Sequence, residues 1–377
     1  MTIGINAAAA IKQPRTGVEE YVYQLIKHLT MLPEAGEHRF LLYLPAVARR
    51  AEAGLPRFDF ELPENFQVKK LKWPLPMWTQ LRLASEMVFN KPDALFIPVH
   101  VLPLVHPKNS VVTIHGLEYE YFPEMYPWRH RQYLRWSTKY AVKHARKIIA
   151  VSQSTKNDLM KLYEADESKI TVVHHGVSFC KSDKSQSPQP GSRVKPGMTD
   201  VDRPYLLYIG RIELKKNVLG ILEAYNTLKE KYKIPHELVL VGSPGFGYDK
   251  IRSQVSSFKF QVHELGYVSE DEKQKLLSGA DVFLFPSLYE GFGMPILEAQ
   301  AAGIPVVTSN ISSMPEVVNN SALLVSPKNS EEIAETIYKL IDDKQARDKL
   351  IELGYENLKR FSWKKCAKET LQFLTEK

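Results

Sequence analysis

Two glutamates, Glu290 and Glu298, bracket the run Gly-Phe-Gly-Met-Pro-Ile-Leu. Ionised carboxylates only accept hydrogen bonds, which suits them to sugar and ribose hydroxyls. Pro295 stands where a first helical residue is expected. The N–H groups of Phe292, Gly293 and Met294 would then have no intrahelical partner, and such amides favour anions and hydroxyls. Upstream, Arg211 and Lys216 flank a short loop. A planar guanidinium fork and an ammonium point charge together suit a diphosphate. His115, followed by Gly116, ends an apolar run in the first half. Each of these also has a plainer reading. Glu298 can favour a helix dipole, Lys215 and Lys216 can form a solvated pair, and a lone histidine is often structural.

The elements that must position these groups alternate along the whole chain. Thr2–Asn6 reads as a strand, and Gly17 opens an amphipathic helix carrying Val18, Tyr21, Leu25, Ile26 and Leu29 at helical spacing. The apolar strand that begins at Ser110 runs out at His115. In the second half, strand Tyr205–Gly210 leads into Arg211. Strand His236–Val241 leads into the loop Gly242-Ser-Pro-Gly-Phe-Gly247, which can approach a ligand closely. Strand Gln261–Leu265 precedes the turn Gly266-Tyr267-Val268-Ser269. Strand Asp281–Phe285, the glycine loop, a helix ending at Gly303 and strand Ile304–Val307 form a βαβ unit. This plan predicts a doubly wound α/β fold in each half, with the polar groups at the C-terminal edges of parallel strands.

At 377 residues two domains are expected. The boundaries fall at 1–180 and 204–360, with residues 181–203 a polar linker or insertion rich in Ser, Pro, Gly and Lys. Asp200-Val-Asp202 lies in that linker and is read as a chance match to a metal-binding DxD pattern. Hydrophobic content of 44% and charged content of 25% are those of an ordinary globular protein. No apolar run is long enough to span a bilayer, and Met1–Asn6 lacks the features of a signal peptide. Cys180 and Cys366 carry no disulfide or metal pattern, so a cytoplasmic protein is expected. The net charge of +7 belongs to the first half, where Trp128–Lys147 holds seven Lys or Arg and no acid. Interleaved with Trp128, Tyr133, Trp136 and Tyr140, that stretch is either a docked helix with a solvated basic face or a contact with anionic membrane. The near-neutral second half argues against a nucleic-acid partner.

Taken together, the residues resemble a known family. Gly210-Arg211 with Lys216-Asn217, Gly266-Tyr-Val268, Glu290-Gly-Phe-Gly-Met-Pro-Ile-Leu-Glu298, Phe361-Ser-Trp363, Thr113-Ile-His115 and Gly17 are similar to the retaining GT-B glycosyltransferases of glycosyltransferase family 4, the group 1 glycosyl transferases. The resemblance implies two Rossmann-like domains facing each other across a cleft, with the C-terminal helix 361–377 joined to the first. It implies transfer of a hexosyl group from GDP-mannose or a UDP-sugar to a saccharide or lipid-linked acceptor in cell-surface polysaccharide synthesis. Arg211 and Lys216 would hold the diphosphate, Glu298 the ribose, and Tyr267 and Val268 the base. Glu290 with the amides of Phe292, Gly293 and Met294 would hold the sugar. Gly17 would face the diphosphate or acceptor, and His115 the sugar ring. No cofactor or metal is expected, since two cations already neutralise the leaving group. The chain departs from the family at Gly116, where an acid is usual, and at His175, where asparagine is usual. Another nucleotide-sugar enzyme on the same scaffold, such as an epimerase, remains the alternative, followed by a basic nucleic-acid-binding protein.

Overall fold

The computed structural model describes residues 1–46, 58–72, 77–177 and 204–376. Linker 181–203, with Asp200 and Asp202, lies outside them, as does Cys180. The chain forms two units, Met1–Gly176 with Phe361–Lys377, and Val177–Arg360.

The first unit is built on seven strands: β1 (Thr2–Asn6), β2 (Arg39–Ala46), β3 (Phe66–Lys72), β4 (Ala94–Ile97), β5 (Ser110–Ile114), β6 (Lys147–Ala150) and β7 (Ile170–Val172). They pair in the order β3-β2-β1-β4-β5-β6-β7, and every pairing is parallel. Ile3, Ile5, Leu95, Phe96, Val111 and Ile148 are fully buried, as expected of strands covered on both faces. The winding reverses between β1 and β4, so the ligand crevice of such a sheet lies at their C-terminal ends. Helix Gly17–Leu29 buries Tyr21, Leu25, Ile26 and Leu29 and packs against the last helix, Trp363–Thr375. The Phe361-Ser-Trp363 motif acquires a physical reason here. A Cβ on Gly176 would lie 2.1 Å from the Trp363 amide nitrogen, so only glycine lets the returning chain close onto this unit.

The second unit has six strands: β8 (Tyr205–Ile209), β9 (Glu237–Val241), β10 (Val262–Gly266), β11 (Val282–Phe285), β12 (Val306–Ser309) and β13 (Leu323–Val325). Their order is β10-β9-β8-β11-β12-β13, again all parallel. The switch falls between β8 and β11. The loop carrying Arg211 and Lys216 follows β8, and the loop carrying Glu290 follows β11, so topology alone makes them neighbours. Most expected elements are present within a residue or two. Helix Tyr248–Ser256 was not expected from the sequence, because it buries only Ile251 and so leaves no apolar stripe. The helix after the glycine loop begins at Met294, which puts Pro295 second rather than first.

Candidate functional site

In the second unit the loop after β8 is shaped by its own neighbours. The Tyr208 hydroxyl donates to the Arg211 carbonyl at 2.8 Å. The amide of Ile212 donates to the Ser243 carbonyl, and that of Gly245 to the Ile212 carbonyl. Gly242 has φ +144, and a Cβ there would sit 1.9 Å from the Gly210 carbonyl oxygen. One on Gly245 would sit 2.7 Å from the Arg211 side chain. The glycines of residues 242–247 are therefore required by the protein's own loop after β8.

Arg211 is exposed at the start of this loop. Lys215 is buried with its ammonium 3.7 Å from Glu213, also buried, so the solvated-pair reading fails for Lys215. Lys216 reaches Glu290, Nζ to Oε1, at 2.5 Å, with both side chains largely covered. Asn217 adopts a left-handed conformation and donates to the carbonyls of Pro286 (3.1 Å) and Pro327 (2.6 Å). It ties together the loops after β8, β11 and β13, so its place in the motif is architectural.

Glu290 is held from behind. Its carbonyl accepts from Ser312 Oγ at 2.6 Å and Ser313 Oγ at 2.9 Å, and Ser313 Oγ also lies 2.8 Å from the Phe292 carbonyl. Neither serine stands out in the sequence, since hydroxyl residues after a strand are ordinary turn formers. Phe292 buries its ring, and Gly293, at φ +105, turns the chain into helix Met294–Ala301. Few residues other than glycine adopt that angle. Glu298, on that helix, pairs with Lys273 at 3.0 Å, a partner the sequence did not suggest. Tyr267 is exposed and Val268 half-buried in the turn after β10. The structure thus joins Lys216 directly to Glu290, while Glu298 belongs to a separate ion pair.

At the strand ends of the first unit the polar groups are of another kind. The N-terminus of helix Gly17–Leu29 is exposed at Gly17 and fixed by Thr16, whose amide donates to Glu19 at 3.2 Å. His115 follows β5 with Nε2 2.7 Å from the Pro98 carbonyl. A carbonyl can only accept, so Nε2 carries the proton and Nδ1 is the nitrogen with the lone pair. Burial and the neighbouring His100 push the His115 pKa down to about 3, against a smaller opposing effect of the Pro98 carbonyl. Burial likewise lowers His100 and His175. Tyr21 lies at the centre, with ring centroids 4.7 Å from both His115 and His175, and its hydroxyl is 3.1 Å from Thr113 Oγ1. His175, where the family has asparagine, stacks on Trp363 at 6.0 Å. The meeting of Tyr21 with His115 and of Trp363 with Tyr21 and His175 was not expected, because it arises only from the sheet order and the returning helix.

The basic stretch forms helix Trp128–His144. Arg131 and Arg135 are spent on Glu120. Tyr133, Trp136, Tyr140 and His144 stack in succession along one face, with centroids 5.9, 5.6 and 4.4 Å apart. Arg129, Lys139 and Lys143 are exposed and have no acidic partner among the described residues. Among the described residues, no helix is long and apolar enough to cross a membrane, and no group of three or more His, Cys, Asp or Glu side chains could hold a metal.

The comparisons with known proteins cover both units. Residues 195–357 match the family described as glycosyl transferases group 1, and residues 15–179 match glycosyltransferase family 4. The chain is 28% identical over 382 aligned positions to an O-antigen chain mannosyltransferase B of Escherichia coli, covering 97% of this chain and 98% of that protein. Among solved structures, a sucrose-phosphate synthase of Thermosynechococcus elongatus superposes with a TM-score of 0.74 at 18% identity, over 99% of this chain and 98% of that one. A protein of Anabaena solved in complex with UDP and glucose superposes at 0.69 and 18% identity, over 100% and 99% of the two chains.

Proposed function

The chain belongs to the group 1 glycosyltransferases of glycosyltransferase family 4, with a GT-B fold, and on that premise we propose that it transfers mannose from GDP-mannose, with retention, to a saccharide or lipid-linked acceptor. That it is a glycosyltransferase of polysaccharide synthesis follows from the family and from the O-antigen mannosyltransferases among its relatives. The choice of mannose rests on those same relatives. The observation that carries the site assignment is the Lys216–Glu290 contact beside the head of helix Met294–Ala301, with Arg211 in the loop of Lys216.

In this reading the donor diphosphate competes with Glu290 for the Lys216 ammonium. Once released, Glu290 accepts hydrogen bonds from the sugar hydroxyls, and the first amides of the helix assist it. As the bond from C1 to the diphosphate oxygen breaks, its electron pair leaves with the diphosphate, where Arg211 and Lys216 neutralise the charge. Preorganised charge of this kind does more for the rate than any other single effect in many active sites. The acceptor oxygen bonds to C1 on the face the diphosphate leaves, and its proton passes to the departing phosphate oxygen. Glu298 takes the ribose hydroxyls, and Tyr267 and Val268 contact the base. In the first unit, neutral His115 acts through Nδ1 as an acceptor for a substrate hydroxyl. With two cations on the leaving group, transfer needs no divalent metal, and excess EDTA is expected to leave turnover unchanged.

The test is a thermal-shift screen of GDP, UDP and ADP, alone and as their sugars, followed by product analysis. GDP and GDP-mannose should raise the midpoint most, since a ligand of the native state stabilises it. Stabilisation by UDP-sugars alone would reassign the donor. No response to any nucleotide would overturn the site.

The exposed face of helix Trp128–His144 supports a peripheral contact with anionic membrane. An aromatic ladder flanked by Arg129, Lys139 and Lys143 matches the amphipathic headgroup region, where each cation contributes about 1 kcal/mol. Flotation with phosphatidylglycerol vesicles should carry the protein up the gradient. Neutral vesicles, or an Arg129, Lys139 and Lys143 triple alanine variant, should not. Absence of flotation with any vesicle would remove the contact.

A further inference from the structure

Lys273 stands outside the motifs that mark the site, yet its ammonium lies 3.0 Å from Oε1 of Glu298. It is the fourth residue of helix Glu270–Gly279, directly after the turn that carries Tyr267 and Val268. The start of that helix is fixed by a reciprocal cap: the Ser269 amide donates to Glu272 at 2.7 Å, and the Glu272 amide to Ser269 Oγ at 3.3 Å. A second carboxylate, Glu270, holds the same ammonium at 2.9 Å. Lys273 is 17% exposed and Glu298 28%, so solvent screens the contact only in part. Burial lowers the lysine pKa, but Glu298 and Glu270 outweigh it and the net shift is upward.

We propose that Lys273 is the positioning residue for ribose recognition, holding the Glu298 carboxylate in the one orientation in which it accepts the ribose hydroxyls. This rests on the reading above that Glu298 takes the ribose. A glutamate side chain on an open helix face samples several rotamers. An ammonium on Oε1, itself anchored by Glu270, removes that freedom. An ionised carboxylate offers about four acceptor sites, so one bond to Lys273 leaves enough for two hydroxyls. A purely structural ion pair would tie the two helices together and leave nucleotide selectivity alone.

Isothermal titration with GDP and UDP, each against its 2′-deoxy form, separates these roles. The wild-type protein should prefer the ribonucleotide by about 10- to 100-fold, the range for a hydrogen bond to a charged group. Glu298→Ala should abolish the preference. Lys273→Met should cut it at least about fivefold and raise the donor KM, with kcat at saturating donor within about threefold of wild type, and Lys273→Arg should restore most of it. If Lys273→Met proves unstable, Lys273→Gln gives the same readout. Collapse of the preference in Glu298→Ala with full retention in Lys273→Met or Lys273→Gln would overturn the role of Lys273. Retention in Glu298→Ala would instead overturn the assignment of Glu298 to the ribose, and the proposal with it.

Discussion

The C-terminal edges of the two sheets are built alike and furnished differently. At the edge of the second sheet, in the loops and helices after β8, β10 and β11, the polar groups are charged and already paired, Lys216 with Glu290 and Lys273 with Glu298. Beside β5 of the first they are neutral rings: His115 and His175 against Tyr21, with His100 against His115, all three held below their usual pKa. The same doubly wound topology delivers loops to the same edge in each, so the difference lies in side chains alone. A charged edge can exchange an internal partner for a dianionic ligand, with the released carboxylate taken up by ligand hydroxyls. A neutral edge can offer hydrogen bonds to hydroxyls but cannot hold a phosphate. The contrast fits the proposal that the leaving diphosphate is neutralised at the second unit, while the first offers only neutral acceptors such as His115.

The largest effect that would break this comparison is at Lys216. Lys216→Ala should lower kcat by about 10²–10³-fold, the usual loss for one preorganised group stabilising developing charge. Because it also strands the largely covered Glu290 carboxylate, some loss of stability should accompany the loss of turnover. The adjacent Lys215→Ala, which strands the buried Glu213 carboxylate, should lower stability with little effect on turnover. Removing one partner of a buried pair typically costs about 3–5 kcal/mol, which a denaturant midpoint would register. Equal turnover losses in the two variants at equal stability would mean that the loop, not the Lys216 charge, is what matters. On the neutral edge, His115→Ala should lower turnover by about 10²-fold, and His115→Gln, which keeps an acceptor, should recover part of it. A His115→Ala enzyme with wild-type turnover would empty the first unit of its assigned role.

The contrast between adjacent lysines also shows what the sequence could carry. Strand, glycine turn and helix are local, and their periodicity placed Arg211, Lys216, Glu290 and Glu298 at strand ends. Which lysine turns inward is decided by the 3₁₀ turn Leu214–Lys216 and the left-handed Asn217, where the motif shows only two basic residues in succession. The partners Lys273, Ser312 and Ser313 come from other strand ends and carry no pattern of their own. The glycines of residues 242–247 were legible as a loop able to approach a ligand closely but not as one packed against Arg211, because the crowding atoms lie a whole strand away. Tyr21, His175 and Trp363 were each visible, as a helix stripe residue, a departure from the family and a motif residue. Their meeting depends on helix Trp363–Thr375 returning to the first unit.

Acid gives the mildest test, and it separates the two edges by sign. His115 has a folded-state pKa of about 3 against 6.5 for the free side chain. Between those values the unfolded chain binds a proton that the folded one refuses. Its contribution is therefore fully present above pH 6.5 and is lost as pH falls toward 3, with a slope of up to about 1.4 kcal/mol per pH unit. His100 and His175, lowered for the same reason, add to it in the same direction. Lys273, raised by its two carboxylates, is indifferent to this window, and its contribution is lost only on the alkaline side, as pH rises past its usual value of 10.5. The described tryptophans, Trp78, Trp128, Trp136 and Trp363, belong to the first unit, and the sequence of the second unit contains none, so tryptophan fluorescence follows the first unit. Urea midpoints followed this way should fall from pH 7 to pH 5, and His115→Gln should flatten the fall. Lys273→Met should leave it untouched. If His115→Gln keeps the wild-type slope, His115 is not the neutral acceptor that its role in the first unit requires.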